Sequence, residues 1–283
     1  MGIIVGILNG FLVSIQNTLV HGLPKVDTGA LNSFRFAWAV PILAILITIF
    51  GEWQIPPLPF FLILIVEIPL EIIASFCYIK AYQLSPQSLV GPLFSLSVIF
   101  LVPLSFFVFG DIPSLAGWSG IILGIMGSFF LGWDSKNPEI KKSLNNILSE
   151  KGTYYMLGTT LIVSMAIILA KLSFTYASPL LSAFYVISAL MIFWLPNMFR
   201  EIPLIWKKNW RQLIGIGVCN GIANILHYIG LSLLPSAYYI SLKRSAVVFD
   251  VILGKTINNE THFRGRLIGA SLMLIGIFLV AIA

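Results

Sequence analysis

The sequence predicts an all-α integral membrane protein of about ten transmembrane helices, arranged as two inverted five-helix repeats. Three observations lead there. The chain is 58% hydrophobic and only 10% charged, with a mean hydropathy of +0.96, whereas a soluble domain carries about 25% charged residues. Its apolar residues gather in runs of roughly 20, the length that crosses a bilayer as a helix. Its two halves also resemble each other when one is slid over the other.

The runs are Gly2–Val20, Ala30–Phe50, Leu58–Tyr82, Ser88–Phe109, Leu115–Trp133, Tyr154–Leu172, Leu180–Phe199, Leu213–Leu234, Ala237–Ile257 and Leu267–Ala283. The first lacks a basic leader and a small-residue cleavage site, so it reads as a span and not as a signal peptide. The connections are short and rich in turn formers, as at Gly51–Pro57 and Gly110–Pro113. The longest polar stretch, at residues 134–152, divides a first repeat (1–133) from a second (153–283). Cys77 and Cys219 lie in apolar runs, and no C-x-x-C is present, so neither zinc nor redox chemistry is indicated. The net charge of +6 does not indicate nucleic acid, because the cations sit in short loops between apolar runs. There is no phosphate-binding loop for ATP, no metal motif and no cofactor motif.

A shift of about 149 residues, the separation of Pro86 from Pro235, brings nearly fifty positions of the two halves into gapless register. Val98, Phe100, Val102 and Leu104 fall on Val247, Phe249, Val251 and Leu253; Asp111 falls on Glu260, Gly120 on Gly269 and Gly127 on Gly276. Apolar matches arise by chance, but the proline, the acid and both glycines in phase do not. Five spans per half is an odd number, so the second half enters from the opposite side. Two similar halves in opposite orientations suit alternating access, which exchanges two near-mirror conformations. Gly2, Gly6 and Gly10, and likewise Gly120 with Gly124 and Gly265 with Gly269, have the spacing that lets helices approach closely in lipid.

Loop charges set the expected orientation. Lys25, Lys136, Lys141, Lys142, Lys151, Arg200, Lys207, Lys208, Arg211, Lys255, Arg264 and Arg266 fall on the linker side, and Lys171 alone on the other. Basic loops stay cytoplasmic, so the linker is expected inside and both termini outside, in the cell membrane.

Each half carries the same order of elements: A-Y-Q-L-S-P, F-G-D and G-I-I-L-G-I-M-G in the first, then G-L-S-L-L-P, N-N-E and G-A-S-L-M-L-I-G in the second. This order resembles the drug/metabolite transporter superfamily in its ten-helix form with two EamA-type repeats, over essentially the whole chain. The resemblance implies a transporter and not an enzyme, with a small-molecule substrate and a lipid bilayer as its partners. Two departures stand out: Asp111 replaces the commoner Glu, and the superfamily's commoner topology puts both termini in the cytoplasm.

Charges within a span are costly and therefore point to function. Lys243 and Arg244 lie one-third into the ninth span; Asp250 follows Lys243 by seven residues, two helical turns, and is expected on the same face. One acid cannot neutralise two cations. Their counterparts in the first half are Phe94 and Ser95, so the repeat does not require the charge. The pair is similar to the Lys–Arg pair of plastid triose-phosphate translocators, although the further basic residue expected on the fourth span is absent. Glu67 and Glu71 share a face of the third span, where they cannot both ionise easily, and they are candidates for proton coupling or partners of Arg35. Asn220, Asn224 and His227, beside Tyr228, form a polar stripe on the eighth span, either as a cavity wall or as helix-to-helix hydrogen bonds. Gln16 and Asn17 raise the same question in the first span.

The expected function is secondary transport of a small polar metabolite, anionic or zwitterionic. Lys243 and Arg244 would bind it and Asp250 would position them, with proton coupling or exchange for a counter-substrate. The alternatives are an intramembrane enzyme acting on a lipid headgroup through Glu67 and Glu71, or a non-transporting structural or receptor-like membrane protein. No nucleophile or metal constellation accompanies the carboxylates.

Overall fold

The computed structural model describes residues 2–109, 114–131, 140–233, 236–260 and 263–281. Asp111, Pro235 and the first part of the linker therefore lie outside the described residues. All regular structure among the described residues is helical. α1 (Gly2–His21), α2 (Thr28–Ala37), α3 (Ala39–Phe50) and α4 (Leu58–Leu84) are followed by α5 (Gln87–Leu93), a 3₁₀ turn (Phe94–Leu96) and α6 (Ser97–Phe109). Then come α7 (Leu115–Phe130), α8 (Ile140–Ser149), α9 (Lys151–Ser173), α10 (Pro179–Leu233), α11 (Ser236–Lys243), α12 (Ala246–Thr256) and α13 (Phe263–Ala281).

Seven stretches among the described residues are long and apolar enough to cross a membrane: Gly2–His21, Thr28–Phe50, Leu58–Leu84, Gln87–Val108, Lys151–Ser173, Pro179–Arg200 and Asn209–Gly230. The other three predicted spans are occupied by α7, by the two short pieces α11 and α12, and by α13. The exterior is apolar, with Ile4 at 71% and Ile49 at 70% exposed. Asn9, Gln16, Asn17, Glu67, Asn220, Arg244, Asp250 and Arg266 are buried. This inside-out distribution suits a chain whose outer solvent is lipid.

Local chemistry sets the helix ends. Asp27 caps α2 by accepting from the Ala30 N–H at 2.9 Å, and its Oδ2 also accepts from Asn197 at 3.1 Å. Gly51 ends α3 in the left-handed conformation, at φ 68°, where a Cβ would be strained.

α10 differs from expectation. The sequence predicts a loop after Phe199, yet the backbone is helical from Pro179 to Leu233. It still reverses direction. The Ser33 hydroxyl donates to the carbonyl of Trp194, and Asn220 donates to the carbonyl of Arg35 at 2.7 Å. Residues 194 and 220 would be about 39 Å apart in a straight helix, but both touch one turn of α2. The two limbs of α10 thus clasp α2 and α3.

Glycines let α7 and α13 cross backbone to backbone. A Cβ on Gly127 would lie 2.7 Å from the Gly269 carbonyl, and one on Gly276 would lie 2.5 Å from that of Gly120. The helices therefore run antiparallel. The glycines that the sequence shift aligns also meet crosswise, each pairing with the counterpart of the other. On α1, Gly6 abuts Leu242, and Gly10 abuts the Lys243 carbonyl and the Ala246 N–H. These small residues seat α1 directly on the junction between α11 and α12.

Candidate functional site

A cavity of about 200 Å³ lies between α1, α2, α4, α9, both limbs of α10, α11 and the 3₁₀ turn. Arg35, Glu67, Glu71, Asn220, Asn224, His227, Tyr228, Lys243 and Arg244 all line it, so residues of four predicted spans are brought together. Gln16 joins them. Aromatic and aliphatic walls come from Phe36, Tyr78, Phe94, Phe174, Val186 and Leu190. The cavity extends to the exposed Lys171, near the end of α9.

Two helix breaks meet at this cavity. The 3₁₀ turn at Phe94–Leu96 interrupts the fourth predicted span. The ninth breaks between Lys243 and Ala246, where Ser245 N–H bonds the Leu242 carbonyl at 3.0 Å instead of reaching one residue further back. The sequence shift aligns Phe94 with Lys243 and Ser95 with Arg244, and the aligned breaks are in contact. The Arg244 guanidinium lies over the Phe94 ring at 4.1 Å, a cation–π geometry, and donates to Ser97 Oγ at 2.5 Å.

The charges are only partly matched. Arg35 donates to Asn32 Oδ1 at 2.8 Å and approaches the Tyr78 ring at 5.2 Å. Glu71 interacts electrostatically with both Arg35 and Lys243. Among the described residues, no carboxylate lies within ion-pair distance of Arg35, Lys243 or Arg244. Arg35 Nε, Arg244 Nε, Glu67 Oε2, His227 Nδ1 and Gln16 Oε1 are buried and have no hydrogen-bond partner among the described residues. Arg35, Lys243 and Arg244 outnumber Glu67 and Glu71 on the lining, which is net positive in formal charge. The polar stripe on the second limb of α10 lines the cavity, and one member of it also bonds a neighbouring helix. Asn220 bonds α2 and Asn224 bonds the Asn220 carbonyl at 2.9 Å, while both also face the cavity.

Asp250 departs from expectation. It lies 2% exposed outside the main cavity, in a chamber of about 20 Å³ that shares Val13, Tyr78, Phe94, Lys243 and Arg244 with it. Among the described residues no cation pairs with its carboxylate. The partners are neutral: Ser14 Oγ at 2.8 Å, Gln87 Nε2 at 2.8 Å, Tyr82 OH at 3.1 Å, and Asn17 Nδ2 at 3.3 and 3.4 Å from the two oxygens. The reason is the helix break. Seven residues restore a face only along an unbroken helix, and this one breaks between the cations and the acid.

Next to this network is a second cluster that sequence reasoning treated only as a repeat marker. The Glu260 carboxylate accepts from the backbone N–H groups of Gln87 and Ser88, at 2.8 and 3.0 Å, capping the start of α5. It also accepts from the Ser88 hydroxyl and pairs with Arg266 at 3.2 Å. His21 Nε2 lies 3.9 Å from it. Arg266, counted as a loop charge in the sequence, is 7% exposed inside this cluster. Ser85 donates to Glu150 at 2.7 Å, so Glu150 joins the same end of the bundle, opposite Lys171.

An apolar exterior around a charged cavity at mid-span defines a helical, multi-pass membrane protein. The model of the EamA-like transporter family matches residues 1–133 and again 150–282. The chain belongs to the EamA-like transporter family, within the drug/metabolite transporter superfamily, and is a membrane transporter of that type. The family implies transport and not catalysis. Among solved structures that match, a crystal structure of a protein is similar in fold, with a TM-score of 0.65 and 17% identity over 97% of this chain and 95% of that one. No curated protein matches the chain.

Glu260→Gln would leave Arg266 buried without its carboxylate. The expected loss of stability is about 3–5 kcal/mol, part of it regained in Glu260→Gln/Arg266→Gln. Melting of the detergent-solubilised protein measures both, and equal melting of Glu260→Gln and wild type would contradict the pairing.

Proposed function

We propose that the protein is a secondary active transporter of a small anionic or zwitterionic metabolite, working by alternating access. The observation that carries this reading is the net-positive cavity in which Lys243 and Arg244 have no carboxylate at ion-pair distance among the described residues. An Arg fork beside a Lys point charge suits a carboxylate or phosphate. The apolar wall would hold the rest of the molecule. Glu67 and Glu71, with Arg35, would couple a proton or take part in exchange for a counter-substrate.

The architecture proposed is ten spans in two inverted repeats, residues 1–133 and 153–283, joined by the linker at 134–152. Its support is the double family match, the crosswise glycine contacts of α7 and α13, and the aligned breaks at Phe94 and Arg244. Broken helices at the span centre mark binding sites in many secondary transporters. The proposed location is the cell membrane, with linker inside and termini outside, on the bias of basic residues to the linker side. Tags at both ends should be reachable on intact cells; tags reachable only after permeabilisation would reverse the orientation.

The binding test is a melting screen of the purified protein against sugar phosphates, carboxylates, amino acids, nucleosides and organic cations. An anion or zwitterion at about 100 times its Kd should stabilise by about 2.7 kcal/mol. Lys243→Ala/Arg244→Ala should remove that effect. Stabilisation by cations or neutral solutes alone, unchanged in the variant, would overturn the assignment of the pair.

A further inference from the structure

Among the described residues, every hydrogen-bond partner of Asp250 donates to it. Ser14, Asn17, Tyr82 and Gln87 direct N–H and O–H groups at its two oxygens. An ionised carboxylate accepts at both oxygens, whereas the neutral acid must donate from one. Neither amide can turn to receive that proton without losing a bond it already makes. The Asn17 carbonyl oxygen accepts from Tyr78 OH at 2.6 Å, and the Gln87 carbonyl oxygen accepts from Asn258 at 3.1 Å. The charged form therefore makes the most bonds: the neutral acid could donate only to the hydroxyls of Ser14 or Tyr82, which can also accept, and would give up amide donors to do so.

Its place in the fold gives that preference a consequence. Ser14, Asn17, Tyr82 and Gln87 belong to the first half, while Asp250 belongs to the second. Together with the Glu260 clasp on α5, they tie the two halves together at the end of the bundle that holds Glu150. The positions that the sequence shift aligns with Ser14, Asn17, Tyr82 and Asp250 are Val163, Ala166, Leu231 and Leu101. Gln87 aligns with Ser236, the one polar residue of the set, and no acid stands at the position of Asp250, so a matching carboxylate network cannot form from them at the opposite end, which the cavity reaches at Lys171. A Cβ on Gly91 would overlap the Asp250 carboxylate, so α5 is seated directly on the acid.

We propose that Asp250 is a proton-binding site whose charged form latches the Glu150 end shut, and that protonation releases it. This inference rests on the alternating-access reading above. The proton would enter from the cavity through the small chamber, which is about large enough for one water molecule and touches Tyr82 and Asp250. A proton on Oδ1 converts the carboxylate to a neutral acid whose O–H turns to the Ser14 hydroxyl, competes with the Gln87 and Asn17 donors at that oxygen, and leaves no cation unpaired, since none is bound to Asp250 among the described residues. The titratable and charged groups around the site are few. α4 contributes Tyr78 and Tyr82, and Lys243 and Arg244 stand across the chamber. α1 contributes His21 one turn beyond Asn17, and α13 contributes Arg266, held on Glu260. α5 contributes none.

The test needs no substrate. Spin labels at Lys25→Cys and Lys255→Cys, both exposed at the Glu150 end, report the gap between the halves in a Cys77→Ala/Cys219→Ala background. Lowering the pH from about 8 to about 5 should shift the distance distribution to longer values in proteoliposomes. Asp250→Asn, which carries amide donors in place of the charge, should show the longer distance at both pH values. Gly91→Ala should enlarge the long-distance population at the higher pH, and serves if Asp250→Asn does not fold. A pH response unchanged in Asp250→Asn and Gly91→Ala overturns the role of Asp250 and leaves alternating access standing. A distance fixed in every variant and at every pH overturns both.

Discussion

The Arg244 guanidinium is 6% exposed in the middle of a lipid-embedded bundle, and its partners among the described residues are a hydroxyl and an aromatic face. A guanidinium does not lose its charge in a protein, and a buried, unpaired ion is among the most costly things a fold can hold. The surrounding structure follows from that constraint. The helix breaks at the residue, so backbone and side chain can both face a polar space. α1 approaches through Gly6 and Gly10 to seal the break from lipid. Glu67 and Glu71 line the same cavity and moderate the field without lying at ion-pair distance from the cations among the described residues.

The two polar assemblies of the molecule contrast instructively. In the cavity, Arg35 Nε, Arg244 Nε, Glu67 Oε2, His227 Nδ1 and Gln16 Oε1 are buried with no partner among the described residues. At the Glu150 end, both carboxylates, Asp250 and Glu260, are surrounded by donors, α5 is clasped at both its backbone and its side chains, and Arg266 Nε is left without a partner among the described residues. A region with many unmatched polar groups is suited to receive a ligand, and one with its carboxylates matched is suited to hold two halves together. Such a network is stable only as a whole, which makes it a two-state element and not a continuously adjustable one.

Much of this was legible in the sequence, for a physical reason. Lipid imposes a length of about 20 residues on a spanning helix, so the spans show as runs. Charge within a run is so costly that Arg35, Glu67, Glu71, Lys243 and Arg244 identify themselves, and they share one cavity. Less legible were features whose local signature was absent or misleading. The break after Lys243 has neither proline nor glycine in it, so the seven-residue spacing put Asp250 on the wrong face. Residues 200–212 contain Pro203 among charged residues, a loop signature, yet the backbone there is helical. Ser14, Tyr82 and Gln87 are inexpensive polar residues one at a time, and their partner lies far along the chain. The signal that was available was the pair Gln16 and Asn17 in the first span, polar residues that an acid elsewhere in the bundle could satisfy.

The central claim is that the charged cavity is reached from each side of the membrane in turn. The most direct measurement places a cysteine at Ser75, buried in the cavity wall, with Cys77 and Cys219 replaced. A membrane-impermeant thiol reagent is then offered from one face of oriented proteoliposomes and then from the other. The account predicts labelling from both faces, slowed from both by an anion that binds the Lys243–Arg244 pair. Labelling from one face alone, under every condition of pH and ligand, would contradict it.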